Sequence, residues 1–251
     1  MNSTEPKHDA IVGGIRRSAT LFGKFRSQYD DPEGFYTYLA EDTVRLVDHY
    51  ERLEGRRVVD IGGGAGYFAR AFVNRGASSC FVEPFWDELS ESGRTSQIGI
   101  IGDGMQLPFA DHTFDISHSS NVIEHVMSPR RFFDEMIRVV RSNGLIFLAF
   151  TNWLSPFGGH ETSPWHYFGG GRAARRYEQK SGHPPKNRFG TSLFRLDIRD
   201  VLAWARTTPN AVLIDAFPRY YPHWTKPILV VPGLREIVTW NLVLVLRKVD
   251  H

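Results

Sequence analysis

Apolar residues recur at helical spacing between Thr37 and Leu53, at Leu39, Val44, Leu46, Val47, Tyr50 and Leu53, which predicts an amphipathic helix ending near Gly55. Arg57 to Ile61 is a short β-branched run that meets glycines at once and reads as a strand. Tyr67 to Val73 then predicts a helix closed by Asn74-Arg75-Gly76. The rhythm continues with strands expected at Ser79 to Val82, Ile98 to Ile101, Phe114 to Ser119 and Leu145 to Phe150. The clearest helix follows Ser128-Pro129, a serine cap with proline in the first turn. It places Phe132, Phe133, Met136, Ile137 and Val140 on one face before Asn143-Gly144 ends it. Two last strands are expected at Val212 to Ala216 and Asn241 to Lys248.

Strands alternating with helices imply an α/β fold with parallel pairing and right-handed crossovers. Ligands in such folds bind beyond the carboxyl ends of the strands where the winding reverses, which directs attention to residues 61 to 66. After Thr151 the pattern loosens. Residues 151–195 form a glycine- and aromatic-rich insert that precedes renewed helical order near Leu196, and residues 218–240 hold four prolines and read as a lid or docking loop.

Composition narrows the classes. The 251 residues suit one large domain, and 41% hydrophobic with 23% charged residues excludes wholesale disorder. A formal net charge of +2, with basic residues spread along the chain, gives no electrostatic footprint for nucleic acid. Cys80 is the single cysteine, so an internal disulfide framework and a cysteine-based zinc site are excluded, and its apolar neighbours mark it as a buried strand thiol. Residues 1–10 are polar and do not read as a secretory signal, and no segment has the roughly 20 apolar residues of a membrane span, so a cytoplasmic protein is expected.

The chemistry concentrates in Gly62-Gly63-Gly64-Ala65-Gly66, which follows a strand holding Asp60 and precedes a helix. Glycines there let a ligand lie against backbone. The dinucleotide fingerprint needs a glycine where Tyr67 stands, which disfavours a nicotinamide-dependent oxidoreductase. Glu83 ends the second strand 21 residues after Gly62, where a carboxylate can accept from both hydroxyls of a ribose.

Asp60 through Gly66 resembles the first motif of class I S-adenosylmethionine (SAM)-dependent methyltransferases, an acidic residue followed by Gly-x-Gly-x-Gly. The resemblance continues through Gly102-Asp103-Gly104-Met105 and through Ser119 to Val126, and it covers residues 57 to 150. Arg138 to Leu145 is similar to the helix-to-strand junction of the ubiquinone-biosynthesis-like subgroup, with Ser142 and Asn143 replacing its usual turn residues. The resemblance implies a Rossmann-like, doubly wound, seven-stranded, mostly parallel sheet with an antiparallel last strand. It implies SAM binding by Asp60, Gly62, Gly63, Gly64, Gly66 and Glu83, by Asp103, Gly104 and Met105 at the adenine, and by Ser120 and Asn121 beneath the methionine part. Residues 151–195 look similar to a little-characterised group of mycobacterial methyltransferases.

For an alcohol acceptor the transfer needs a base, and His160 and His166, with Glu161 to orient or replace either, are the candidate catalytic groups. Glu124-His125 is not expected to bind metal, because adjacent side chains diverge and further ligands are not evident. Arg16, Arg17, Lys24 and Arg26 interleave with Ile15, Leu21, Phe22 and Phe25 as a basic amphipathic helix over the cofactor or an anionic lipid surface. Residues 1–36 are thus expected to form a cap segment and 37–251 a single domain. The expectation is O-methylation of a glycan, glycolipid or other hydrophobic small molecule, with peripheral membrane contact. The alternatives are a C- or N-methyltransferase on a quinone-like or amine acceptor, and a non-catalytic SAM-binding protein. Trp153, Trp165, Tyr167 and Phe168 are the expected aromatic pocket.

Overall fold

A computed structural model describes residues 14–28, 30–85 and 98–249. Seven strands form one sheet: β1 (Arg57–Ile61), β2 (Ser78–Glu83), β3 (Ile98–Ile101), β4 (Phe114–Ser120), β5 (Val140–Thr151), β6 (Ala211–Pro218) and β7 (Asn241–Lys248). Their order is β3-β2-β1-β4-β5-β7-β6. The pairs from β3 to β5 are parallel, and β7 runs antiparallel to both β5 and β6. The expected Rossmann-like, mostly parallel plan with an antiparallel last strand is the one observed. β1 lies between β2 and β4, so the winding reverses beside it and opens a crevice at its carboxyl end.

Seven helices flank the sheet among the described residues: α1 (Ile15–Arg26), α2 (Pro32–Tyr50), α3 (Tyr67–Val73), α4 (Pro129–Arg138), α5 (Gly170–Ser181), α6 (Ile198–Thr207) and α7 (Leu234–Val238). The alternate side chains of the strands feed two cores. Phe132, Phe133, Met136 and Ile137 of α4 and Ile198, Val201 and Leu202 of α6 bury against one face with Val59, Ile61, Ile146 and Leu148. Leu39, Val44, Leu46 and Val47 of α2 and Phe68 and Phe72 of α3 cover the other with Val58, Phe147 and Val245. Such side chains contribute roughly 1.5–3 kcal/mol each on full burial. Together the two layers fix the strand ends that carry the glycine loop.

Several element boundaries differ from the sequence expectation for local reasons. α2 starts at Pro32, because the Asp31 carboxylate accepts the Gly34 N–H at 2.9 Å and proline suits the first turn. Ser128 makes no side-chain cap bond at α4, where its carbonyl instead accepts the Phe132 N–H. α4 stops at Arg138 and Val140 already begins β5, so Asn143-Gly144 does not end the helix. Asn143, at φ +58°, lies where the β4–β5 register slips between Phe114 and Ile116, which identifies a bulge. α5 was invisible as a helix, because only Ala173 and Ala174 are buried on it and no apolar stripe marks its face.

Within 218–240 the chain forms a 3-10 run at His223–Val230 and then α7, so this segment has regular structure of its own. Residues 1–10 lie outside the described residues. Among those described, no helix is long and apolar enough to cross a membrane.

Candidate functional site

The turn after β1 is built by glycines that sequence and geometry both require. Gly62, Gly64 and Gly66 have φ of +75°, +50° and +75°, a region L side chains enter at a cost. A Cβ on Gly62 would stand 2.4 Å from Val122, and one on Gly63 2.6 Å from Phe81. Gly62 N–H donates to the Val82 carbonyl at 2.8 Å, which binds the loop to the next strand. Beneath the loop, Asp60 is buried and its Oδ1 meets His118 Nδ1 at 2.7 Å. Asp60 is therefore buried beneath the loop and paired with His118.

Glu83 ends β2 one strand away. Its Oε2 accepts the Gly64 N–H at 3.1 Å and its Oε1 the Phe85 N–H at 3.4 Å. The carboxylate is only 4% exposed, yet it sits at the mouth of the crevice against the loop. Asp103, which is exposed, accepts the Met105 N–H at 2.8 Å in a local turn just past β3. Gly104 packs so closely that a Cβ would lie 2.4 Å from Phe132, so close packing accounts for its glycine. Asp60, Glu83, Asp103 and the glycine loop thus gather at the carboxyl ends of β1, β2 and β3.

β4 delivers Ser120 and Asn121 to the same end of the sheet. Asn121 has φ +59°, and its Oδ1 accepts from Asn241 Nδ2 at 2.6 Å. Ser120 Oγ accepts from an Arg219 guanidinium N–H at 2.6 Å. Arg219 was not singled out in the sequence. It is fully buried, donates also to Thr43 Oγ1, and its Nε has no partner. The nearby Asp42 carboxylate is bound by Arg17 at 2.6 Å and by Arg45 at 3.4 Å. Arg219 therefore sets a buried guanidinium against Ser120, close to the Arg17–Asp42 pair. Arg17 is thus an internal anchor of α1, not one of a solvated basic row. No sequence signal distinguishes a buried arginine from the exposed ones around it.

The three candidate catalytic groups are not brought together. His166 is buried, its Nε2 facing the Trp153 carbonyl at 3.1 Å and its Nδ1 near Ser163 Oγ at 3.5 Å. Both nitrogens thus face partners within the insert. Glu161 accepts from Asn187 Nδ2 at 2.9 Å through Oε1. His160 follows β5 and packs edge-on to His125 with ring centroids 4.9 Å apart. Burial, then the proximity of His125, pulls the His160 imidazole down to about 4. It is neutral at pH 7, and a group so weakly basic takes a proton from an alcohol poorly.

The aromatic surroundings also differ from expectation. Trp153 is buried against His166 and Phe189, while Trp165 lies under the Arg176 guanidinium at 3.9 Å. Instead Phe22 and Phe25 of α1, Phe157, Tyr220 and Trp240 pack on one another with centroids 4.6–5.8 Å apart. Their four separate chain segments explain why no local pattern revealed the cluster. Cys80 is partly buried in β2, and burial followed by the Asp60 charge pushes its thiol up to about 11, which makes it inert.

Comparison with known proteins identifies the family. The family described as a methyltransferase domain matches residues 59–148. An uncharacterized methyltransferase of Mycobacteroides abscessus is 49% identical, over 93% of this chain and 94% of its own. One of Mycobacterium tuberculosis is 46% identical, over 92% and 94%. A crystal structure of a SAM-dependent methyltransferase from Mesorhizobium loti superposes with a TM-score of 0.55 at 16% identity, covering 84% of this chain and 97% of that one. At that identity the likeness concerns the fold.

Proposed function

Because this chain belongs to the SAM-dependent methyltransferases, we propose that it O-methylates a glycan, glycolipid or other hydrophobic small molecule in the crevice at the carboxyl end of its sheet. The Glu83 carboxylate held against the Gly64 amide is the observation that carries the cofactor reading. A ribose bound there would find an anionic acceptor and a backbone free of side chains. Asp103 and Met105 would meet the adenine. Ser120 and Asn121 would lie beneath the methionine part, whose carboxylate suits the buried Arg219 guanidinium beside Ser120.

When bound, SAM would supply a methyl carbon activated by its sulfonium for in-line attack by the acceptor, with S-adenosylhomocysteine as the leaving group. The protein's share is to align the acceptor, exclude water and stabilise the acceptor oxygen as its proton leaves. The aromatic cluster of Phe25, Phe157, Tyr220 and Trp240 supports an acceptor with an apolar or sugar-ring face. Phe22 of α1 contacts Trp240 at 5.3 Å, and Ile15, Trp224, Val230 and Ile237 are all more than half exposed. These exposed apolar side chains support peripheral contact with a lipid surface. The low basicity of His160 favours a second reading, C- or N-methylation of a quinone-like or amine acceptor that needs little base assistance.

Incubation of mycobacterial lipid and glycan extracts with labelled SAM, followed by mass spectrometry, tests the acceptor. A methyl ether on a glycan or lipid supports the proposal, and label found only on carbon or nitrogen refutes it.

A further inference from the structure

Beyond β4 and β5, one cluster is left over by the cofactor site. We propose that Glu124, His125 and His160 form a binding site for one divalent transition-metal ion of the zinc type. Their ligand atoms all lie within 4.8 Å of one another. A tetrahedral set bonded at roughly 2.0–2.1 Å has ligand atoms about 3.3 Å apart, so small side-chain rotations complete it. Neighbouring Cβ positions diverge, which argued against this pair in the sequence. The two long side chains nevertheless reach the same space, and His160, arriving after β5, closes the third side.

Two further observations point to a cation. Glu124 is 1% exposed, and while its Oε1 accepts the Thr151 N–H at 2.8 Å, its Oε2 is buried without a partner. An unpartnered carboxylate oxygen in such a place is costly unless the group takes up a proton or a positive charge meets it. The histidines also have a defined tautomer. His125 Nδ1 lies 2.6 Å from the Ser192 carbonyl and His160 Nδ1 3.3 Å from the Gly158 carbonyl. A carbonyl only accepts, so each Nδ1 carries the hydrogen, which leaves Nε2 as the atom by which either ring would bind a metal. Backbone carbonyls orient metal-binding imidazoles in this way. Two imidazoles and one carboxylate suit zinc and its neighbours better than magnesium or calcium, and leave an open position for an oxygen ligand. The inference rests on the methyltransferase reading only for its consequence: an acceptor hydroxyl placed at the open position would be acidified and could release its proton to water without His160 as base.

The test uses the full-length untagged chain stripped with EDTA, then loaded with Zn2+, desalted and assayed for metal by mass spectrometry. In parallel, Co2+ is titrated and followed by its visible absorption. The expected result is one ion per chain. E124Q keeps an oxygen for the Thr151 amide, H125N keeps a donor for Ser192, and H160N suits the φ of +50° at that position. Each should weaken Zn2+ binding by at least about tenfold, since outer-shell losses alone cost ten- to a hundredfold. A folded wild-type chain that retains no metal overturns the proposal, as does affinity unchanged in all three variants. S-adenosylhomocysteine titrated into stripped and loaded protein separates the two readings, because its failure to bind would count against the cofactor site alone.

Discussion

Replacement of Glu83 by alanine should separate cofactor binding from folding. In the structure the carboxylate accepts the Gly64 N–H at 3.1 Å and the Phe85 N–H at 3.4 Å, and it is the acceptor assigned to the ribose. Loss of the loop bond costs about 1–3 kcal/mol of stability, since it leaves a half-buried amide unmatched. Loss of the charged acceptor costs the ligand a further 1.5–3 kcal/mol or so, roughly tenfold to over a hundredfold in affinity. Glu83→Gln keeps one oxygen for Gly64 and should therefore melt close to wild type while still binding weakly. Calorimetric titration with S-adenosylhomocysteine, beside thermal unfolding followed by circular dichroism, reads the two effects independently. A folded Glu83→Ala chain with wild-type affinity would remove Glu83 from the site and refute the reasoning.

Gly64→Val places a branched side chain at φ +50° and over the crevice, so S-adenosylhomocysteine binding should vanish while the fold survives a loss of about 1–3 kcal/mol; retained binding would reduce Asp60 to Gly66 to an ordinary turn. Asp103→Ala removes the acceptor for the Met105 N–H and should weaken binding less than Glu83→Ala, because Asp103 is solvent-exposed and water can replace it; a loss as large as that of Glu83 would contradict this. Asp115 is pushed up by burial, but the Arg57 amide and the Arg141 guanidinium outweigh this and hold it below the usual carboxylate range. The stability it contributes is present above about pH 4 and is lost as pH falls through the lowered value, so Asp115→Asn should flatten the acid limb of a melting-temperature profile. An unchanged acid limb would assign that loss to other carboxylates.

The sheet was legible because its signals are local. β-branched runs, a glycine turn after β1 and the α4 stripe of Phe132, Phe133, Met136 and Ile137 each fix an element within a few residues. The crevice assigned to the cofactor lies near local signals for the same reason, since Asp60 to Gly66 is contiguous, Glu83 ends β2 and Asp103 stands just past β3. The buried arginine and the aromatic cluster were not legible, because their members meet only in three dimensions. Arg219 reaches Ser120 across 99 positions, and Phe25 meets Trp240 from the opposite end of the chain. His166 has the chemistry of a base but spends both nitrogens on neighbours, which no spacing could reveal. Helix α5 went unseen because it lies on the surface with too few apolar side chains to show a period.

A crystal structure of the chain with S-adenosylhomocysteine tests the central claim most directly. The account predicts the ribose hydroxyls within hydrogen-bonding distance of Glu83, the adenine beside Asp103 and Met105, and the ligand backbone-close over Gly62 to Gly64. Density for the nucleoside away from the β1–β2 strand ends, with Glu83 still bonded only to protein amides, would contradict it.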